Sequence, residues 1–293
     1  MKNILVTGAN GQLGNELQAL FPQYPSFNFF ATDVDTLDLC NKKEIENFIG
    51  QHNIHCIVNC AAYTAVDKAE DEAEFCYKIN RDAVRNLAEA ARGKAKIIHL
   101  STDYVFDGTA AVPYRETART HPQSVYGKSK KEGETVLLEL APESIIVRTA
   151  WLYSSFGNNF VKTILRLSKE HTALTVVSDQ TGTPTCAADL AKALLDIIAF
   201  CENTQTFASG IYHYSNEGKT TWFDFAKKTF QLSGITACRL TPIPTSGYPT
   251  KATRPMYSVL DKTKIKNTFR LAVPKWEDSL EKCILRIKLS PEL

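Results

Sequence analysis

The sequence predicts an α/β protein: a doubly wound parallel sheet with a smaller lobe in the C-terminal half. Three observations predict it. Short runs are apolar at every residue rather than at alternate ones, amphipathic helical patterns lie between them, and a glycine-rich turn joins the first run to the first helix. Unbroken apolar character suits parallel strands covered on both faces. A chain of 293 residues, 44% hydrophobic and 23% charged, can bury a large core without metal or disulfide help.

Taken in order, Ile4-Leu5-Val6 is the first strand, and Leu13, Leu17 and Leu20 follow at helical spacing. Phe29-Phe30-Ala31 is the second strand. Asn41, with Glu44 three residues on, makes a helix start ahead of Ile45, Phe48 and Ile49. Cys56-Ile57-Val58 is the third strand, and Ala83, Leu87, Ala88 and Ala91 mark the next helix. Residues 97–100 and 145–147 are the fourth and fifth strands. Beyond Trp151 the rhythm loosens. Helices are expected over 158–169, 189–200, 223–230 and 277–287, and strands over 174–177 and 210–214. The stretch 241–255, with four prolines, reads as extended loop. Residues 1–150 therefore read as one unit and 151–293 mainly as a second lobe, with the chain re-entering the main sheet at about 189–215.

Lys plus Arg number 34 against 32 Asp plus Glu, a formal net charge of +2. No basic surplus points to a nucleic-acid partner. No apolar run approaches the ~20 residues of a membrane helix, and the apolar start at Ile4-Leu5-Val6 is too brief for a signal peptide. A cytoplasmic location is expected. The eight cysteines include no Cys-x-x-Cys pair and the six histidines are scattered, so free thiols and no structural zinc are expected.

Gly8-Ala9-Asn10-Gly11-Gln12-Leu13-Gly14 carries the first chemistry. Glycine permits a tight turn and close approach of backbone N–H groups to a pyrophosphate, and the helix N-terminus adds partial positive charge. Placed between first strand and first helix, the run predicts a dinucleotide site in a Rossmann-type sheet. Asp33, about 20 residues further on, is placed to bond an adenosine ribose and to disfavour a 2′-phosphate. Asp38-Leu39 offers groups beside an adenine. Ala61 and Ala62 leave room at the edge where ligands of such sheets bind. Tyr126 and Lys130 lie four apart at the start of a helix. An ammonium there is expected to lower the phenol's pKa and suit Tyr126 to give a proton to a carbonyl being reduced. Thr102, at a polar strand end, is placed to hold that oxygen.

Strand-end hydroxyl, Tyr-x-x-x-Lys and glycine turn together resemble an extended short-chain dehydrogenase/reductase of the nucleotide-sugar type. Finer wording narrows the resemblance. The blocks Asn59-Cys60-Ala61-Ala62-Tyr63-Thr64-Ala65-Val66-Asp67, Ser101-Thr102-Asp103-Tyr104-Val105-Phe106 and Asp179-Gln180-Thr181-Gly182-Thr183-Pro184-Thr185 resemble the dTDP-4-dehydrorhamnose reductases. So does Arg148-Thr149-Ala150-Trp151, and the likeness spans nearly the whole chain. It implies reduction of the C4 ketone of dTDP-4-dehydro-β-L-rhamnose by NADPH or NADH, with Thr102, Tyr126 and Lys130 catalytic. It implies Gly11, Gln12 and Leu13 at the pyrophosphate, and Ala61, Ala62 and Tyr63 along the cofactor. Asn80 supports the nicotinamide side, and Asp103, Tyr104 and Trp151 line the sugar and nucleotide pocket.

Some members of that family form a dimer around Mg2+ held by glutamates. Glu16 matches one ligand position, Asp189 falls at a second, and Glu281 is the remaining candidate; exposed acids are commonly only solvated, so no metal site is assigned and monomer and homodimer both stay open. Two other readings stay open too. One is a non-catalytic regulatory subunit of the same fold, and the other a nucleotide-sugar epimerase or dehydratase holding its NAD permanently. Tyr104, where a dehydratase commonly has glutamate after the aspartate, weighs against the latter. Residues 107–123, with Pro113 and Pro122, read as a substrate flap.

Overall fold

The computed structural model describes residues 1–289. Six parallel strands form the central sheet: Lys2–Thr7 (β1), Phe27–Thr32 (β2), Ile54–Asn59 (β3), Lys96–Thr102 (β4), Ile145–Thr149 (β5) and Gly210–His213 (β6). Their order is β2-β1-β3-β4-β5-β6. Alternate residues of one strand serve opposite faces, which is why the strands read as unbroken apolar runs. Ile4, Val6, Val58, Ile98 and Val147 pack beneath the helices Gln12–Leu20 and Ala187–Thr204. Leu5, Ile57, Ile97 and Ile146 pack beneath Lys42–Gln51, Ala83–Ala91 and Val125–Leu140.

From β1 the chain steps outward to β2 and then returns to the other side of β1 as β3. That reversal opens a crevice at the carboxyl ends of β1 and β3. Asn41 caps the helix Lys42–Gln51 by accepting from the Glu44 N–H, as its spacing predicts.

Between β5 and β6, and again after β6, the chain leaves the sheet. Ala173–Val177 pairs with Arg239–Ile243, and the helices Phe160–Glu170, Trp222–Ser233 and Trp276–Leu289 pack around Phe225, Trp276 and Leu280. The expected loop at 241–255 thus begins as strand. Pro242 is tolerated because a two-stranded ladder leaves it at an edge. Residues 66–82, unassigned by periodicity, form the helices Val66–Ala69 and Ala73–Tyr77 and a π turn over Lys78–Asp82. The expected flap at 107–123 is pinned rather than free: the Tyr114 N–H donates to the Val259 carbonyl at 2.9 Å and the His121 N–H to the Val105 carbonyl at 2.9 Å. All eight cysteines are free thiols. Among the described residues no helix is long and apolar enough to cross a membrane.

Candidate active site

A crevice of about 820 Å³ opens along the carboxyl ends of β1, β3 and β4. Gly8 turns the chain out of β1 with φ +66°, and a Cβ there would lie 2.7 Å from the Ala61 nitrogen. Only glycine lets the turn and the Ala61-Ala62 strand end approach so closely. The Gly8 carbonyl accepts from the Gly11 N–H at 3.1 Å, leaving Asn10, Gly11, Gln12, Leu13 and Gly14 along one wall. Gln12 Oε1 is buried without a protein partner. Asp33, just past β2, accepts from the Asn10 and Val34 N–H groups at 2.8 Å each, so it closes the glycine turn as well as facing the crevice. Asp38 and Leu39 line the same end.

Beside that turn, Ala61, Ala62 and Tyr63 also line the crevice. Asn80 stands one layer behind them. Its side chain accepts from the Tyr63 N–H at 2.9 Å and donates to the Tyr63 carbonyl at 3.1 Å and to Ser129 Oγ at 3.0 Å. Asn80 therefore acts on the crevice through Tyr63, directed there by the π turn it occupies.

Ser124 caps the helix Val125–Leu140 by accepting from the Gly127 N–H at 3.1 Å. One turn separates Tyr126 and Lys130, both buried against the crevice. Thr102 ends β4; its hydroxyl accepts from the Tyr104 N–H at 3.2 Å and donates to Asp103 Oδ1 at 3.0 Å. The ammonium–phenol expectation needs correcting. Burial pushes the Tyr126 phenol up, with Thr102 opposing the rise and Asp103 adding to it. Lys130 Nζ instead donates to the Leu100 carbonyl at 2.6 Å, and burial pushes it down to about 8. The physical reason is the dry setting: desolvation of the charged form is the largest cause of each shift. Tyr126, like any phenol, is protonated at neutral pH, and burial moves its titration further from that range.

On the far side, burial pushes Asp103 up to about 6, with nearby Ser258 and the Thr102 hydroxyl on Oδ1 opposing the rise. Its Oδ2 is buried with no protein partner. The Tyr104 hydroxyl accepts from Arg254 Nη1 at 2.8 Å, and Arg254 also pairs with Asp67. Trp151 sits at φ +49°, an uncommon conformation for a bulky residue. Gly182 makes it possible, since a Cβ there would meet the indole at 2.5 Å.

Periodicity and motif spacing did not single out Asn158 and Asn159, which line the crevice beside Gln12. The readable signal was Gly157-Asn158-Asn159 ahead of a helix: Gly157 has φ +62° and Asn159 caps that helix. Arg254-Pro255 belongs to the sequence wording that carries the family resemblance, but what Arg254 touches leaves no local signal, because its contacts are 150 and 187 residues away.

The magnesium positions do not fit a metal. Glu16 accepts from Ser154 Oγ at 2.6 Å and from Arg286 at 2.7 Å, and Asp189 accepts from Asn216 at 2.7 Å and Ser279 at 2.5 Å. Among the described residues no cluster of three or more metal-ligating side chains occurs.

The family model described as RmlD substrate binding domain matches residues 1–289. The chain is 43% identical to the dTDP-4-dehydrorhamnose reductase of Aggregatibacter actinomycetemcomitans over 288 residues, covering 96% of this chain and 98% of the relative. A dTDP-4-dehydrorhamnose reductase structure from Clostridium acetobutylicum superposes with TM-score 0.91 at 42% identity, covering 98% of this chain and 99% of the other. One from Bacillus anthracis, in complex with NADP, gives 0.90 at 39% identity, covering 98% and 100%.

Proposed function

The chain belongs to the RmlD substrate binding domain family, that of the dTDP-4-dehydrorhamnose reductases, and from that premise we propose how its residues divide the reduction of dTDP-4-dehydro-β-L-rhamnose to dTDP-L-rhamnose. One observation carries the proposal: Thr102, Tyr126 and Lys130 share a buried wall between the glycine turn and Trp151. That reaction completes dTDP-rhamnose for cell-surface polysaccharide.

The cradle fits a nicotinamide dinucleotide, NADPH or NADH. Gly8 lets the turn lie against the Ala61 strand end, where a Cβ would meet backbone, and so leaves Asn10 to Gly14 along the crevice wall. Gly11, Gln12, Leu13 and Gly14 hold its pyrophosphate, Asp33 its ribose, Asp38 and Leu39 its adenine, and Ala61, Ala62 and Tyr63 its length. When bound, the reduced nicotinamide supplies the hydride. Tyr126, protonated at neutral pH, gives its proton to the ketone oxygen while the Thr102 hydroxyl orients that oxygen. Lys130 stabilises the phenolate that forms. Asp103 Oδ2, Tyr104 and Trp151 take the sugar, the orphaned carboxylate oxygen accepting from a hydroxyl.

Residues 1–150, with the returning 189–215, serve as the dinucleotide-binding part; the rest of 151–293 mainly covers the substrate. The protein acts in the cytoplasm as a monomer or homodimer without nucleic-acid or membrane partners. Its free thiols and net charge of +2 support that setting.

The test follows NADPH and NADH absorbance as the protein meets dTDP-4-dehydro-L-rhamnose, with Tyr126→Phe in parallel. Expected is oxidation by the natural sequence and a loss of about 10²–10⁴-fold in the variant. Unimpaired turnover by Tyr126→Phe would reassign the proton donor.

A further inference from the structure

We infer that Asn59 and His99 are positioning residues for Lys130: a hydrogen-bond chain from the end of β1 through Asn59 sets the His99 tautomer, and that tautomer presents a donor to the Lys130 amine. The inference deepens the reductase reading and rests on it for its kinetic readout alone.

Asn59 ends β3 and lies in register with His99 of β4, both buried. Asn59 Oδ1 accepts from the Thr7 hydroxyl at 2.7 Å and the Ala61 N–H at 3.2 Å. A flipped amide would set its NH2 against the Ala61 N–H, so the orientation has one solution. Asn59 Nδ2 therefore donates to His99 Nδ1 across 3.0 Å. Nδ1 must carry the lone pair, and the ring proton of neutral His99 sits on Nε2. Nε2 faces Lys130 Nζ at 3.4 Å.

Nζ already gives one proton to the Leu100 carbonyl. An ammonium would oppose N–H to N–H at His99, whereas an amine would turn its lone pair to Nε2–H. The other groups around Lys130 are few. Glu134, one turn along its own helix, favours the ammonium; Cys60 at the end of β3 and Cys76 of Ala73–Tyr77 do so only as thiolates, and burial pushes both thiols up. Burial, with Lys130 beside it, holds His99 well below the usual histidine range, so the ring stays neutral. The strand that begins the glycine turn is thereby wired to the residue that assists proton transfer.

Two measurements test this. Long-range proton–nitrogen correlation on 15N-labelled protein reads the ring directly: an Nε2–H tautomer is expected across neutral pH, its shifts inflecting near 8 as Lys130 titrates. The pH profile of kcat/KM for the keto-sugar is then compared with His99→Gln, which can turn an acceptor to Nζ. Asn59→Asp is run beside it, because a carboxylate there draws the ring proton to Nδ1. In both, the alkaline limb should move up by about one unit, since the ammonium persists to higher pH. Circular dichroism and the thermal midpoint verify folding.

An Nδ1–H ring in the natural sequence overturns the inference. So does an Nε2–H ring with an unmoved alkaline limb in both folded variants. Should neither variant fold, the natural sequence decides, because a His99 ring whose shifts show no inflection as Lys130 titrates equally overturns it. Failure of the keto-sugar assay would fall on the reductase reading, with the ring titration still deciding this one.

Discussion

The indole rings of Trp151 and Trp222 stack with centroids 3.6 Å apart and planes within 10°. Trp151 lines the crevice and Trp222 opens the helix Trp222–Ser233, so the stack ties that helix to the crevice wall. An indole held at positive φ needs support on its rear face. Trp222→Ala should raise KM for the nucleotide sugar roughly fivefold, the worth of about 1 kcal/mol of ring contact, and leave dinucleotide affinity unchanged. Steady-state kinetics beside a cofactor titration separate the two effects.

Cofactor choice turns on Asp33. Among the described residues lining the crevice Lys130 is the single lysine or arginine, and it lies at the Tyr126 end. A 2′-phosphate beside Asp33 would meet a carboxylate and no cation. NADH should serve at least as well as NADPH, and Asp33→Ser should shift the ratio of kcat/KM values towards NADPH by about tenfold. A ratio unmoved by the substitution would remove Asp33 from the adenosine site.

A fully buried ion pair links the helix Val125–Leu140 to β5. Glu134 accepts from Nε and Nη2 of Arg148 at 2.7 Å each and from Ser101 Oγ at 2.6 Å. Those partners pull its carboxyl below the usual range despite burial. Glu134→Ala should cost about 3–5 kcal/mol by leaving a buried guanidinium unpaired. Adding Arg148→Met should restore most of it, read as urea midpoints at constant m-value.

Acid sensitivity should come from buried neutral histidines. Burial, with Arg148 beside it, pushes His213 down to about 3 from an ordinary 6.5. Between those values the unfolded chain binds a proton that the folded one refuses. Stability is therefore complete above 6.5 and falls as pH drops, by at most about 1.4 kcal/mol per unit for this residue. His213→Gln, which can still donate to the Tyr114 carbonyl, should flatten the urea-stability slope between pH 6.5 and about 5.

Legibility in the sequence followed the range of the interactions. Strands β1 to β5 and the caps at Asn41 were readable, because burial on two faces and a local carboxamide bond leave local marks. Tyr126, Lys130 and Thr102 were readable as residue types at a spacing and a strand end. Their electrostatics were not, since the direction of each pKa depends on how dry the wall is. Trp222 behind Trp151, Arg254 on Tyr104 and Asn80 behind Tyr63 were hidden for a related reason: each contact is long-range, and Asn80 acts from within a π turn that a 3.6-residue period does not register.

Arg286 reaches Glu16 across 270 positions of chain. On a ribosome adding roughly 5–20 residues per second, the counter-charge for the first helix is made tens of seconds after the helix itself. Until then Glu16 is a carboxylate destined for burial with only Ser154 to satisfy it. The helix behind the glycine turn cannot settle fully while the chain is still growing, so the cradle should be among the last features to mature. A nascent protein released before Arg286 would carry its sheet strands yet grip a dinucleotide loosely.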